Sequence, residues 1–506
     1  MNQVRAGAIL NYVIVVLNVL TGLLYTPYML RCLGQNEYGL YSLVASVIAY
    51  LTLLDFGFGS SIVRYAAKIK ATGSKDDEWR LYGMFLCGYA IIGILVTIAG
   101  IVLYNNVDRM FDQTMTSDEL WQARVMVLLM VGNLAVTFPF SLFGSIISAY
   151  ERFVFQRIVN ISRILLSTAV LVGVLYLGYK AIALVIVQTI FSLATLLANF
   201  LYCRYKLKIR LLFRNFNVPL LREIMVFSWW NFLGAIVDRI YWSTGQFILG
   251  IYSGPVAVAV FSVAITLMNL YMSMSTSVSS VLLPRMTVMA TRDGSDKDIS
   301  ELFIRTGRLQ FCLMGLILSG FVVFGDAFIG LWAGPGYSGS FVITLMFFAV
   351  LLCPLIQNVG LTIMVARGQI KFRSVSYLCI SLLSFPVQVL LAKYYGAIGC
   401  AWGVTGALFV GQWVVMNIYY YKRQHLDIPL FWRQILTMSI GPACITLLGF
   451  FVVRHLAIES LYLLGVLILL YSIIYTLVLF KFSMYPYERS IVSSLLSRIG
   501  ITVKID

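Results

Sequence analysis

About fourteen runs of roughly 20 apolar residues succeed one another along this chain, each long enough to cross a hydrocarbon core of about 30 Å. They lie near residues 6–30, 39–63, 81–104, 122–147, 159–178, 181–203, 225–251, 257–283, 306–331, 341–366, 374–392, 398–421, 434–453 and 461–480. Backbone polar groups in lipid must be satisfied within the protein, which leaves helices and closed barrels, and runs of this length suit helices. The expected fold is all-α, a polytopic membrane protein of about 14 transmembrane helices. Composition agrees: 60% of the residues are hydrophobic and 11% charged, against about 25% charged in soluble domains. The first run continues from Arg5 to about Leu30, beyond the roughly 7–15 residues of a signal-peptide core, and so counts as a span.

The formal charge of +16 takes its meaning from placement. With a cytoplasmic N-terminus, inside loops collect Arg64, Lys68, Lys70, Lys75 and Arg80, then Arg152 and Arg157, then Arg204, Lys206, Lys208, Arg210, Arg214 and Arg222, and later inside loops continue the excess. Outside loops hold only Arg31, Arg109, Lys180, Lys393 and Arg454. The positive-inside rule then puts both termini in the cytoplasm. No nucleic-acid partner is needed to explain the charge.

Motifs of covalent chemistry are missing. Cys32, Cys87, Cys203, Cys312, Cys353, Cys379, Cys400 and Cys444 occur singly, mostly inside apolar runs, as small core residues do. The two histidines, His425 and His455, form no HExxH, and the chain has no Walker loop and no GxSxG elbow. The expectation is a protein that is not an enzyme and carries no metal or cofactor. Any transport would then draw on a gradient of H⁺ or Na⁺.

The pattern of residues 27–65, PYMLRCLGQNEYGLYSLVASVIAYLTLLDFGFGSSIVRY, recurs further along. It reads as the end of one helix, a polar turn at Gly34 to Glu37, and a second helix that carries a single acid, Asp55, and stops at Arg64. In the later copy Gly254 stands for Gly34, Phe261-Ser262 for Tyr41-Ser42, and Arg285 for Arg64. SAYERFVFQR and VARGQIKFRS extend the echo, as do GYKAIALVI and YYGAIGCAWG. Two six-span lobes follow, residues 1–203 and 225–423. Because six is even, the copies are parallel, related by an axis along the membrane normal, with a central cavity expected between them. Residues 204–224, RYKLKIRLLFRNFNVPLLREI, interleave basic and apolar side chains and read as an interfacial helix on the cytoplasmic surface. Runs 13 and 14, within 434–480, lie outside the repeat. The tail, 481–506, puts Ile491, Leu495, Leu496 and Ile499 on one helical face, again interfacial.

MLRCLGQNEYGLYSL followed by LLDFGFGSSIVRY resembles the opening hairpin of Wzx-type polysaccharide flippases, within the multidrug/oligosaccharidyl-lipid/polysaccharide exporter superfamily. Beyond this hairpin the resemblance rests on helix count, loop pattern and the repeat. It implies a MATE-like fold in the bacterial cytoplasmic (inner) membrane and translocation of undecaprenyl-diphosphate-linked oligosaccharide repeat units for O-antigen, capsule or exopolysaccharide. The partners it implies are the lipid-linked glycan, membrane lipid, a polysaccharide polymerase and a chain-length regulator.

A charge at a span's centre costs about 2.5–3.5 kcal/mol on insertion scales, so it is either paired inside the bundle or lines a wet cavity. Asp238-Arg239 falls in the middle of the seventh run. A guanidinium is always charged and offers a planar fork to two phosphate oxygens. Arg239 is therefore expected to face an anionic substrate with Asp238 tuning it; a buried structural pair is the other reading. Arg163 and Arg124 are further cavity candidates, near enough to the ends of their runs to snorkel instead. Asn11 and Asn18, one heptad apart on the first run, either line the cavity or join helices, and Asn18 is the repeat equivalent of Asp238. Asp55 is the ion-coupling candidate, because a carboxylate in low dielectric can take up a proton or coordinate Na⁺; the alternative is a packing role, bonded to Arg64 or nearby backbone.

Three rivals to polysaccharide export follow from these residues. A multidrug cation antiporter would need an acidic, aromatic cavity, which Arg239 opposes. A lipid-linked peptidoglycan precursor flippase fits the span count, but the first hairpin resembles the polysaccharide branch more. A membrane polymerase or glycosyltransferase would need large outward loops with catalytic acids, and the longest, NNVDRMFDQTMTSDELW, is short.

Overall fold

A computed structural model describes residues 3–214, 218–291, 296–367, 369–456, 458–485 and 487–490. Their regular structure is helical: α1 Gln3–Leu51, α2 Phe58–Thr72, α3 Lys75–Phe111, α4 Ser117–Ala149, α5 Phe153–Tyr176, α6 Ala181–Leu201, α7 Val218–Trp242, α8 Thr244–Tyr252, α9 Gly254–Thr291, α10 Asp296–Trp332, α11 Gly339–Ile356, α12 Asn358–Ala366, α13 Ile370–Leu408, α14 Met416–Arg423, α15 Ile428–Arg454 and α16 Leu461–Val478. Starts are written in the sequence. Ser74 and Asp77 form a reciprocal capping box at α3, and Thr116 and Glu119 form another at α4, each satisfying amides that the first turn leaves without partners.

Eleven helical stretches are long and apolar enough to cross a membrane. Two of them, Ile9–Lys70 and Lys371–Arg423, run 62 and 53 residues, which at about 1.5 Å per residue far exceeds one bilayer. Each is divided at a glycine in the left-handed region, Gly34 (φ 74°) and Gly396 (φ 58°). The seventh run folds as α7 and α8 on either side of Ser243. Counting the two long stretches twice, the eleven hold thirteen of the fourteen runs expected from hydropathy, and the seventh is the broken pair α7–α8 outside them.

The chain divides into two compact units, one of residues 1–262 and 377–403, the other of 263–376 and 404–506. In the first, α3 packs on α4, α1 on α5 and α4 on α6. In the second, α10 is the hub, touching α11, α15 and α16, and its buried face carries Phe303, Phe311, Met314 and Phe324. Side chains that a soluble protein would cover stay exposed in periodic rows, such as Ile91, Ile94, Leu95, Ile98 and Ile101 on α3. Apolar rows of that extent need lipid around them.

Span 7 belongs with the first unit because it zips antiparallel along span 2. The Ser61 and Ser228 hydroxyls are 2.8 Å apart, Phe56 packs on Phe232 with ring centroids 4.7 Å apart, and Arg239 reaches Thr52. Further along, Gly250 accommodates Leu43 and Gly39 lies against the Pro255 carbonyl. This seam explains why the first unit extends to Ser262 and not to the lobe boundary read from the repeat.

Three sequence expectations are corrected. Arg64 and Arg285 do not stop their helices, since α2 continues to Thr72 and α9 to Thr291; α2 is capped by Gly73. The linker is not a helix over Leu207–Arg214. Instead Lys208 takes a positive φ of 53° and the Leu212 amide donates to the Trp79 carbonyl at 3.2 Å. The strap lies so close to α3 that a Cβ on Gly83 would meet the Leu212 carbonyl oxygen at 2.1 Å. Thirdly, span 2 is broken at residues 52–57. The tail face of Ile491, Leu495, Leu496 and Ile499 lies outside the described residues.

Candidate functional site

The break in span 2 is the LDFG motif itself. Residues Thr52–Asp55 wind as a 3₁₀ turn, and Phe56 (φ 50°) and Gly57 (φ 70°) are both left-handed before α2 restarts. The freed backbone is partly re-satisfied locally, by the Phe56 amide on the Leu53 carbonyl at 3.1 Å and by the Thr52 hydroxyl donating to the Ala49 carbonyl at 2.6 Å. Interrupted helices inside a membrane are tolerated where the break is buried in protein or lines a cavity. Asp55 ends the 3₁₀ turn, half-buried, facing the Gly57 backbone and the Tyr89 hydroxyl of α3. Tyr89 is fully buried, and among the described residues its hydroxyl finds no hydrogen bond of good geometry. The backbone half of the packing alternative is thus present at Asp55, while Arg64 lies exposed beside the Tyr65 ring.

Opposite this break stands the break of span 7. Arg239, in the last turn of α7, donates through Nη2 to the Thr52 hydroxyl at 3.1 Å. The Thr244 hydroxyl, at the start of α8, donates to the Arg239 carbonyl at 3.3 Å and is hydrogen-bonded to the Tyr50 hydroxyl. Since Thr244 has one hydroxyl hydrogen, Tyr50 is the donor in that pair. Tyr50 also meets Phe247 edge-on, with ring centroids 6.4 Å apart. A half-buried guanidinium is thereby set beside a half-buried carboxylate-bearing turn, with a neutral hydroxyl as its hydrogen-bond partner among the described residues.

The other candidates fall elsewhere. Asp238 is exposed on α7. Arg124 closes a two-point ion pair with Asp108 of α3, and Arg163 is exposed and donates to Asn160 of its own helix at 3.1 Å. Asn11 is half-buried and Asn18 exposed on α1. Reading the sequence missed Tyr50, Thr52, Tyr89 and Thr244. Only the glycine after Asp55-Phe56 hinted that the helix would break there. It also missed Glu37, whose carboxylate pairs with Lys180 at 3.3 Å and accepts the Ala181 amide at 3.4 Å, pinning the first hairpin to the start of α6.

The second unit carries a different feature. A cavity of about 530 Å³ opens between α10, α15 and α16, walled by Phe311, Leu318, Val322, Leu447 and Phe450 with Tyr475. Its lining is almost wholly apolar.

Residues 4–290 match the family described as Polysaccharide biosynthesis protein. The chain belongs to that family. No curated protein matches it by sequence. Among solved structures it is similar to "Lipid II flippase MurJ, inward closed conformation", with a TM-score of 0.70 at 15% identity over 96% of this chain and 99% of that one. It is also similar to an inward-facing multidrug resistance MATE family transporter (0.60, 13%, covering 83% and 96%) and to the eukaryotic MATE transporter AtDTX14 (0.57, 12%, covering 86% and 100%). These likenesses establish the fold as that of MurJ and MATE transporters, a multi-pass membrane architecture.

Proposed function

We propose that this protein flips undecaprenyl-diphosphate-linked oligosaccharide repeat units across the bacterial cytoplasmic membrane for surface polysaccharide synthesis, by ion-coupled alternating access and without covalent chemistry. The observation that carries the reading is Arg239, a cation at the break of a membrane span whose hydrogen-bond partner is the neutral Thr52 hydroxyl. A guanidinium so placed keeps its fork available in character for a diphosphate, which it grips bidentately. A cationic drug would be repelled there. The apolar cavity beside α15 and α16 suits a polyprenyl chain that stays at lipid depth while the headgroup moves.

Complementation in cells lacking their own exporter tests this. Arg239→Ala should abolish surface polysaccharide and cause lipid-linked repeat units to accumulate inside, while Arg239→Lys should recover part of the activity, since a point charge replaces a fork. Membrane abundance is measured alongside. A well-expressed Arg239→Ala protein with normal export would remove the case for a phosphate-bearing substrate. Accumulation of peptidoglycan precursor in place of the repeat unit would instead move the substrate to the peptidoglycan branch.

A further inference from the structure

The seam between spans 2 and 7 is apolar or neutral along most of its buried length, with Ser61 on Ser228, Phe56 on Phe232 and Leu43 on Gly250. Arg239 is the charge in its middle, and both ends of that residue are held by one turn of span 2. Tyr50 holds the backbone end through Thr244, whose hydroxyl donates to the Arg239 carbonyl. Thr52 holds the guanidinium end, and its own hydroxyl hydrogen is committed to the Ala49 carbonyl, which leaves oxygen lone pairs to accept from Nη2. Thr52 therefore acts as an acceptor toward Arg239, the same role a phosphate oxygen would play. It is the weaker of the two, since Thr52 offers the guanidinium one neutral oxygen, whereas a phosphate offers an opposite charge and two oxygens that match the fork.

Resting on the diphosphate reading above, we propose that Thr52 is a parking site for Arg239. The empty carrier holds the guanidinium on Thr52, and an incoming diphosphate takes it away. The exchange dissolves a contact across the seam made by a charge at the break, next to the left-handed Phe56-Gly57 corner where span 2 is already discontinuous. Headgroup arrival is thus coupled to release of span 2 from span 7. Thr52 is a positioning residue in this scheme: it touches Arg239 and competes with the substrate for it.

The competition predicts a sign that an ordinary supporting role does not. Removing a competitor tightens binding, whereas removing a support weakens it. Binding of undecaprenyl diphosphate to the full-length protein in lipid nanodiscs is measured for wild type, Thr52→Val, Thr52→Ser and Arg239→Ala. Thr52→Val should bind about tenfold more tightly, the weight of one hydrogen bond to a charged donor, and should export more slowly in cells because release is impaired. Thr52→Ser, which keeps the hydroxyl, should match wild type. If Thr52→Val does not yield folded protein, Thr52→Ala carries the same expectation. Equal or weaker binding by the hydroxyl-less variant, with binding still lost in Arg239→Ala, would overturn parking and leave the diphosphate reading standing. Unchanged binding in Arg239→Ala would overturn the diphosphate reading itself.

Discussion

Arg308 of α10 and Glu488, 180 positions apart, close a two-point ion pair in the interior of the second unit, with side chains only 3% and 2% exposed. Nη2 donates to Oε2 at 2.9 Å and to the Ser483 carbonyl at 3.0 Å, and the guanidinium stacks on Tyr485 at 3.9 Å. This pair fastens the segment after α16 to the hub helix.

Breaking a buried pair from one side leaves an uncompensated charge and costs about 3–5 kcal/mol. Glu488→Gln should accordingly lower the thermal unfolding midpoint of the purified protein by several degrees in detergent, and Arg308→Met with Glu488→Met should recover much of the loss, because an apolar pair leaves no orphan. A midpoint unchanged in Glu488→Gln would mean that the segment adds nothing to the unit's stability.

Gly39 lies so close to span 8 that a Cβ there would stand 1.9 Å from the Pro255 carbonyl oxygen. Backbone cannot yield as a flexible side chain can, so Gly39→Ala must part α1 from α9, at a cost above the about 1–3 kcal/mol of ordinary overpacking. Export should be lost and the unfolding midpoint lowered. Gly132→Ala is the matched control, since nothing lies within 4 Å of its Cβ position, and it should behave as wild type. Full activity in Gly39→Ala would show that the close approach is dispensable.

Much of this architecture was legible because periodicity and glycine placement act locally. The repeat matches Gly34 with Gly254, and the two share a positive φ, 74° and 80°, which glycine adopts without steric cost. The echo of GYKAIALVI in YYGAIGCAWG likewise brackets Gly178 and Gly396, both left-handed. Less legible was anything decided by a distant partner. Hydropathy saw span 2 as unbroken because Leu53, Leu54 and Phe56 are as apolar as any helix interior; the break is compensated by side chains and by packing on Phe232. The linker's alternation of basic and apolar residues suits a surface helix equally well as a strap docked on Trp79 and Gly83. Arg124 meets Asp108 on another helix, which spacing alone does not assign, whereas Asn160 is legible as the i, i+3 neighbour of Arg163 on α5. Arg239 was found by the cost of its burial, but Thr52, 187 positions away, carried no signal.

Orientation is predicted from the loop charges and checked by labelling in a background without native cysteines. Single cysteines replacing Ser117 and Gly336, both exposed at helix ends, should react with a membrane-impermeant thiol reagent in intact cells. One replacing the exposed Lys297 at the start of α10 should react only after permeabilisation. Reaction at Lys297→Cys in intact cells would invert the topology and the positive-inside assignment with it.

Asp55 provides the last prediction, on ion coupling. It is the acid at the break of span 2, half-buried, set between the Gly57 backbone and the Tyr89 hydroxyl. A carboxylate there couples transport either by taking up and releasing a proton or by holding Na⁺ with its negative charge, whereas a carboxylate that merely caps the break needs only its shape and its acceptor oxygen. Asp55→Asn separates the two roles, because the amide keeps the shape and one acceptor but can carry neither proton nor charge. With coupling at Asp55, the variant should remain in the membrane at wild-type abundance, yet its export should no longer respond when the proton or sodium gradient is collapsed. Tyr89→Phe, which removes the facing hydroxyl and leaves the carboxylate, should keep gradient-dependent export at a reduced rate. Full gradient-dependent export in Asp55→Asn would assign the carboxylate to the helix break alone and place coupling at another residue.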